Sequence, residues 1–229
     1  MEKGKVPVIA FEGINRVGKG TQIERMQKEL GLIGLKPVVL RGDGTRDGKG
    51  EHDGDPYDEG WIANAGILRK GGTTYHWNEA ALILAQEFIE WRKKLAEIDD
   101  QLILLDRSLI SRGSFILQKQ PELTGILEIQ QLYPNPTSNP IKIEDVLPDV
   151  IFELVAPKEV VLSRLDQSDP KYEFRKGVIS RTYDVFYTTK DRLPQSVRER
   201  IITLDSTRPV DEVFDDIVFN LNGILEIRK

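Results

Sequence analysis

The stretch FEGINRVGKGTQIERM, residues 11–26, decides the fold because it joins three features that together bind a phosphate. An apolar run leads into it, a helical pattern follows it, and Gly13 and Gly18 stand in it with four residues between them. Glycines let successive backbone N–H groups converge on phosphate oxygens, and the helix N-terminus adds its positive end. A strand, a glycine loop and a helix in this order are the context that the motif requires. The sequence therefore predicts a phosphate-binding loop.

Three side chains of the loop carry the chemistry that a nucleoside triphosphate needs. Lys19 would place its ammonium on the β- and γ-phosphates of ATP, and Thr21 offers a hydroxyl to a magnesium ion. Arg16 adds a second cation beside the γ-phosphate, where a guanidinium stabilises charge on a phosphoryl group in transfer. The predicted ATP-binding residues of the loop are Gly13, Ile14, Asn15, Arg16, Val17, Gly18, Lys19, Gly20 and Thr21.

Short apolar runs alternate with helical patterns along the chain. The runs are rich in Val, Ile and Leu without alternation, which is typical of parallel strands buried on both faces. Amphipathic spacings of three and four residues lie between them. Together with the glycine loop, this alternation predicts an α/β, three-layer P-loop NTPase fold with a five-stranded parallel sheet flanked by helices. The five predicted strands are VPVIAF (6–11), PVVL (37–40), QLILLD (101–106), DVIFELV (149–155) and RIITLD (200–205).

Composition limits the classes of function. The 229 residues suit one domain spanning 1–229, since single cores grow to roughly 250 residues. A net charge of −5, from 37 acidic and 32 basic residues, argues against nucleic-acid coating. No cysteine and only two histidines are present, which leaves no thiolate metal site or disulfide. No apolar run reaches about 18 residues, so no membrane partner is predicted and the expected location is the cytoplasm.

The middle of the chain departs from the strand and helix pattern. Residues 42–60 are rich in Gly and Asp and predict a long loop or an insertion, which extends over about 42–80. A long apolar stripe with helical spacing follows it, and it includes Phe88 and Trp91. The stripe is explained equally well by a helix in the core and by a surface that pairs two copies of the chain.

A second candidate site lies at the end of the third predicted strand. The run QLILLD ends in Asp106, and Arg107 follows it. Ligands of open parallel sheets sit beyond the carboxyl ends of the strands. An aspartate there can hold magnesium, and an arginine beside it can grip an acceptor phosphate with two hydrogen bonds. A capping aspartate in a surface ion pair is the alternative interpretation. The phosphate loop in the same sheet favours the functional one.

Four stretches together resemble the thymidylate kinases: FEGINRVGKGTQ, LLDRSLIS, LPDVIFELVAPKEVVLSRL and DPKYEFRKG. The resemblance covers most of the chain in the right order, although residues 42–80 match poorly. It implies an enzyme that uses ATP and Mg²⁺ to phosphorylate a (deoxy)nucleoside monophosphate, dTMP above all, to the diphosphate. Gly20 stands directly after the loop lysine, as in many nucleoside monophosphate kinases.

The resemblance also implies roles for single residues. Asp106, with Thr21, would serve magnesium, and Arg164 is similar in position to an arginine that lies against the donor adenine. Lys19, Arg16, Asp106 and Arg107 would form the catalytic set. Residues of about 165–180 would form the mobile lid. The acceptor would contact Asn15, Arg41, Gln86, Arg107, Ser111 and Tyr172, of which Tyr172 resembles a lid tyrosine that favours deoxyribose.

This chain departs from the family pattern where the acceptor binds. Asn15 stands in place of an aspartate near the acceptor sugar, and Ser108 replaces a tyrosine. The family's base-stacking aromatic and base-reading arginine fall on Ile83 and Glu87, which can neither stack like a ring nor donate like a guanidinium. Either the register is shifted, with other side chains serving, or the base is not thymine. The candidates in that helix are Gln86, Phe88 and Arg92.

Other functions stay open at this point. A deoxynucleoside kinase would phosphorylate a 5′-hydroxyl, and its family also resembles this chain, with a Glu-Arg-Ser motif close to Asp106, Arg107 and Ser108. A nucleotide kinase with another base preference is a second alternative. A regulatory protein that only binds ATP is the third, and the Asp-Arg pair argues against it. The thymidylate kinases are commonly dimeric, so a homodimer is a further expectation.

Overall fold

The computed structural model of the protein describes residues 7–41, 101–108, 110–111, 147–193 and 195–222. The predicted insertion of about 42–80 lies outside the described residues, and so do the apolar stripe through Phe88 and the base-reading candidate Gln86. The prediction of one domain over 1–229 therefore stays a prediction.

Five strands form one parallel sheet, as the sequence predicts. They are β1 (Val8–Glu12), β2 (Lys36–Arg41), β3 (Gln101–Asp106), β4 (Val150–Val155) and β5 (Ile201–Asp205). Their order across the sheet is β2-β3-β1-β4-β5, and every neighbouring pair is parallel. The strand that carries the phosphate loop is therefore at the centre of the sheet.

Burial follows position in the sheet. All five residues of β1 are buried, and so are the first five of β4. Phe11 and Phe152 are fully buried, with ring centroids 5.7 Å apart, and they fill the core beside the phosphate loop. At the sheet edge, β5 exposes Thr203 and Asp205 and buries Leu204, so the expectation of burial on both faces is wrong for this strand.

Helices flank the sheet. α1 (Lys19–Leu32) buries Ile23, Met26 and Leu30, which share one face of the helix. α2 (Lys158–Ser163) packs against α3 (Tyr172–Thr189). A 3₁₀ turn (Lys190–Arg192) and then α4 (Gln195–Arg198) follow α3 in the chain. α5 (Val210–Asn222) packs against α1. Among the described residues, no helix is long and apolar enough to cross a membrane.

The strand register places the carboxyl-terminal ends of β1, β2 and β3, which carry predicted site residues, side by side. Asp106 at the end of β3 is level with Phe11 of β1 on one side and with Arg41 of β2 on the other. One residue further along β1, Glu12 is level with Glu153 of β4. The phosphate loop and the Asp106–Arg107 pair therefore leave the sheet side by side, although about 90 residues separate them in the chain.

Candidate active site

Two glycines of the phosphate loop have a positive φ. Gly13 has a φ of 135° and Gly18 a φ of 110°, conformations that suit glycine and few other residues. A Cβ on Gly13 would lie 2.7 Å from the carbonyl oxygen of Leu154. Glycine is thus required here both by conformation and by the close approach of β4.

Lys19 lies folded inside the loop that it is predicted to serve. Its side chain is buried, and Nζ donates hydrogen bonds to the carbonyl oxygens of Gly13 at 2.9 Å and Ile14 at 3.0 Å. These bonds hold the ammonium against the backbone of the loop. A cation in this position can bind an anion together with the backbone N–H groups of the loop.

Two cavities adjoin the tip of the loop. The first, of about 630 Å³, is lined by loop residues 15–21, by Asp106 and Arg107, and by Arg164, Ser206 and Arg208 on its far side. The second, of about 360 Å³, is lined by Asn15, Arg16 and Leu165 and by residues 174, 175, 178 and 179 of α3. Asn15 and Arg16 line both cavities. We refer to the two as the loop cavity and the α3 cavity.

Hydrogen bonds tie Arg107 to the loop and to the turn after β3. Its Nη2 donates to Oδ1 of Asn15 at 2.5 Å, and its Nη1 donates to Oγ of Ser111 at 3.1 Å and to the carbonyl oxygen of Gly13 at 3.4 Å. Its own backbone adopts a φ of 82°, which is uncommon for a residue with a side chain. The guanidinium is therefore held at the border of the loop cavity.

Asp106 and Thr21 fit the magnesium role that the sequence predicts. Both line the loop cavity, and Oδ1 of Asp106 is buried with no hydrogen-bond partner among the described residues. Those residues contain no cluster of three or more His, Cys, Asp or Glu side chains. Magnesium is often held by one or two carboxylates together with substrate phosphates, and this donor set suits that arrangement.

Arg164 joins three segments around the loop cavity. Its Nη1 donates to the carbonyl oxygens of Val17 at 3.2 Å and Arg16 at 3.4 Å, and its Nη2 donates to that of Ser206 at 2.6 Å. The predicted contact with a donor adenine is not tested by these bonds and stays a prediction. What they do is fasten the loop to the turn after β5.

The turn after β5 supplies site residues that the sequence interpretation missed. Ser206 and Arg208 line the loop cavity, and hydrogen bonds from Arg208 to Asp216 and Glu212 raise the pKa of its guanidinium. Asp205 accepts hydrogen bonds from the side chain and backbone of Thr207, which lower the pKa of its carboxyl group. The rule that drew attention to Asp106, a polar residue at the carboxyl end of a strand, would have found this turn too.

Glu12 is a further residue that the sequence interpretation missed. It is fully buried at the end of β1, where its carboxylate accepts hydrogen bonds from the backbone N–H and the hydroxyl of both Ser108 and Ser111. A carboxylate inside a buried apolar strand was the available signal, since such groups are rarely buried without partners. Ser108, where the family has a tyrosine, is buried and bound to this carboxylate.

The remaining predicted residues are placed less completely. Arg41 ends β2 beside Asp106, and its side chain is not described. Tyr172 begins α3, with its backbone N–H bonded to the carbonyl oxygen of Asp169 at 2.8 Å, and it lines neither the loop cavity nor the α3 cavity. In the segment before α3, hydrogen bonds from Ser168 lower the pKa of Asp166, and the nearby charge of Arg16 adds to the effect.

Comparisons with known proteins agree with the motifs. The thymidylate kinase of Lactobacillus helveticus (strain DPC 4571) is 25% identical over 220 residues, which cover 93% of this chain and 94% of that protein. The predicted resemblance to the thymidylate kinases is confirmed. A solved thymidylate kinase structure from Candida albicans matches with a TM-score of 0.58 at 17% identity, covering 96% of this chain and 92% of that one. No protein-family model matches the chain.

The likeness to the Candida thymidylate kinase establishes the fold, which is the P-loop NTPase fold with five parallel strands. That structure is reported to reveal the origin of the Candida enzyme's broad substrate specificity and a novel structural element.

Proposed function

We propose that this protein is an ATP-dependent nucleoside monophosphate kinase of the thymidylate kinase type, with dTMP as acceptor and dTDP as product. One observation carries the proposal. Arg16, Lys19, Asp106 and Arg107 line one cavity, and Asn15 and Arg16 of the loop tip also line a second cavity against α3. A single cavity that holds the loop cations, the carboxylate proposed for magnesium and the arginine proposed for the acceptor phosphate suits transfer of a phosphoryl group between two phosphates.

The donor would be ATP in the loop cavity. Backbone N–H groups of the loop and the N-terminus of α1 would bind its phosphates, with Lys19 and Arg16 as the two cations. Asp106 and Thr21 would hold the magnesium ion, which supplies positive charge to the β- and γ-phosphate oxygens when ATP is bound. Arg164, already fastened to the loop, would lie beside the donor base.

The acceptor phosphate would be gripped by Arg107, with Arg41 on the neighbouring strand as its partner. An acceptor phosphate oxygen attacks the γ-phosphorus of ATP in line, and the bond from that phosphorus to the bridging β-phosphate oxygen breaks. ADP leaves with the bridging oxygen. An acceptor phosphate is largely ionised near neutral pH, so the reaction needs positioning and cations more than a general base.

The segment of about 165–180 would close as a lid over the reacting groups. It includes Arg175, whose Nη1 lies 3.0 Å from Oδ2 of Asp169, and Phe174, which is 69% exposed at the rim of the α3 cavity. Closure excludes water and so suppresses hydrolysis of ATP. Tyr172 at the start of α3 would move with this lid toward the acceptor sugar.

The acceptor is tested by supplying a panel of nucleotides and measuring ADP release. The panel contains dTMP, dUMP, dCMP, dGMP, AMP and UMP, with thymidine as the nucleoside arm. We expect dTMP to be phosphorylated with the highest kcat/KM. Transfer to thymidine but not to dTMP would instead identify a deoxynucleoside kinase. ADP release that is independent of any acceptor would identify an ATPase or a regulator and would refute the proposal.

The setting of this reaction follows from its substrates, which are water-soluble nucleotides. We propose a cytoplasmic enzyme in one domain over 1–229, with Mg²⁺ and ATP as its cofactor and donor. A homodimer is proposed from the thymidylate kinase resemblance alone. Sedimentation of the purified protein at several concentrations measures that state directly.

A further inference from the structure

We propose that Glu12 is a positioning residue that sets the geometry of Arg107 through the hydroxyl of Ser111. The inference rests on the proposed function, because it assigns Arg107 to the acceptor phosphate. Glu12 itself is fully buried and touches no cavity described above. Its effect on the reaction would therefore be transmitted by the residues that it bonds.

The carboxylate of Glu12 is built into the protein as an acceptor of several hydrogen bonds. A buried charge without partners is strongly unfavourable, so a buried carboxylate in a strand needs donors from elsewhere. Ser108 provides a backbone N–H and a hydroxyl, the latter at 2.6 Å, and Ser111 provides the same two kinds of donor. All four donors come from the turn after β3, about 100 residues away in the chain.

The hydroxyl of Ser111 links the carboxylate of Glu12 to the guanidinium of Arg107. A hydroxyl has one proton to donate, and Ser111 donates it to Oε2 of Glu12. Its oxygen is then turned as an acceptor toward Nη1 of Arg107, which lies 3.1 Å away. Ser111 is buried, so the hydroxyl has little space to turn elsewhere. Removal of the carboxylate frees the hydroxyl proton, and the hydroxyl no longer has to accept from Arg107.

Glu12 also holds the backbone on which Arg107 stands. The φ of 82° at Arg107 is unfavourable for a residue with a side chain and needs support from its neighbours. The N–H of Arg107 bonds to the carbonyl oxygen of Phe11 at 3.0 Å, and the next N–H, of Ser108, bonds to Glu12. The end of β1 therefore supports the arginine both through its backbone and through its side chain.

The chain provides a matched control for this carboxylate. Glu153 lies beside Glu12 in the register of the sheet and is also fully buried. It accepts hydrogen bonds from Thr203 in β5 and from Lys190 in the 3₁₀ turn, both at 2.8 Å. Glu12→Gln and Glu153→Gln thus make the same change in neighbouring strands, and the described hydrogen bonds connect Glu12 to the turn that carries Arg107.

Kinetics of the variants with dTMP test the proposal. We expect Glu12→Gln and Ser111→Ala to raise the KM for dTMP by about tenfold or more, with the KM for ATP changed by less than about threefold. Glu153→Gln lowers the melting temperature without this selective rise. In an Arg107→Lys background, Glu12→Gln adds little further change, because both substitutions act on one contact. Ser111→Ala carries the same test if Glu12→Gln does not fold.

Two results would overturn the positioning role. One is a dTMP KM in Glu12→Gln and Ser111→Ala that changes no more than in Glu153→Gln. The other is a full multiplication of the effects of Glu12→Gln and Arg107→Lys. Calorimetric binding of dTMP separates this from the proposed function. A wild type that binds dTMP without phosphorylating it refutes the kinase and still allows the variants to be compared, whereas one that does neither refutes both.

Discussion

The amide oxygen of Asn15 accepts a hydrogen bond from Nη2 of Arg107 at 2.5 Å, and this bond joins the tip of the phosphate loop to the end of β3. The two residues are 92 positions apart in the chain. A neutral amide at this place orients the guanidinium without cancelling its charge. The bond therefore orients Arg107 for the acceptor-phosphate role that is proposed for it.

Replacing Asn15 with Ala should weaken the acceptor site. Loss of a hydrogen bond to a charged group costs about 1.5–3 kcal/mol, so we expect the KM for the acceptor nucleotide to rise by about tenfold or more. The KM for ATP should rise less. Asn220→Ala is the control, because Asn220 bonds to the backbone of Asp216 within α5 at 2.7 Å. An unchanged acceptor KM in Asn15→Ala would show that the bond does not orient the arginine.

Replacing Lys19 with Ala should abolish ATP-dependent transfer while the protein remains folded. Removal of one group that stabilises transition-state charge typically lowers kcat by on the order of 10²–10³. Circular dichroism and thermal melting check the fold, and ADP release checks the activity. Lys28→Ala, an exposed position on the same helix, should keep full activity. Wild-type activity in Lys19→Ala would refute the assignment of the loop.

Replacing Gly13 with Ala should destabilise the protein and disrupt the loop. The new Cβ would meet the carbonyl oxygen of Leu154 and Cγ1 of Val17, both at 2.7 Å, at a φ of 135°. We expect a loss of about 1–3 kcal/mol in the free energy of urea unfolding. Gly31→Ala in α1 has no neighbour within 4 Å and should instead stabilise the protein by about 0.5–1 kcal/mol. Equal stabilities of the two variants would contradict this account.

Replacing Lys190 with Met should destabilise the protein, because it leaves the buried carboxylate of Glu153 without its cation. Nζ of Lys190 lies 2.8 Å from Oε2 of Glu153, which is fully buried. The Lys190 side chain is 35% exposed, so the main cost is that of an under-satisfied buried carboxylate, about 1–3 kcal/mol in unfolding free energy. A second substitution, Glu153→Leu, should recover most of the loss. Lys171→Met, at an exposed position, measures the effect of the substitution type alone.

Stability at high pH should depend on Tyr187. Burial is the main cause that raises its pKa above the usual value, and the neighbouring Tyr183 and Glu153 add to it. A pKa that is raised in the folded state favours the protonated phenol. This contribution is complete below the unfolded pKa of about 10 and is lost as pH rises through the folded pKa. The unfolding free energy should therefore fall less between pH 9 and pH 11 in Tyr187→Phe than in the wild type. Parallel slopes would contradict this expectation.

The strands and the phosphate loop were predictable because their causes are local. Each central strand is an unbroken apolar run, and the loop is a short glycine pattern between a strand and a helix. Prediction was weaker at β5, where edge position decides that Thr203 and Asp205 are exposed. The roles assigned to the site residues stay predictions, those of Arg41, Gln86 and Tyr172 included.

The sequence by itself determined the P-loop, the parallel sheet and the resemblance to the thymidylate kinases, because spacing and apolar runs act over a few residues. Only the tertiary structure decided which side chains support the site. The bonds of Arg107 to Asn15 and of Glu12 to Ser111 join residues more than 90 positions apart, and the bonds of Arg164 reach as far as the turn after β5. Such contacts depend on strand order and register, which bring distant residues within hydrogen-bond distance and which no local pattern encodes.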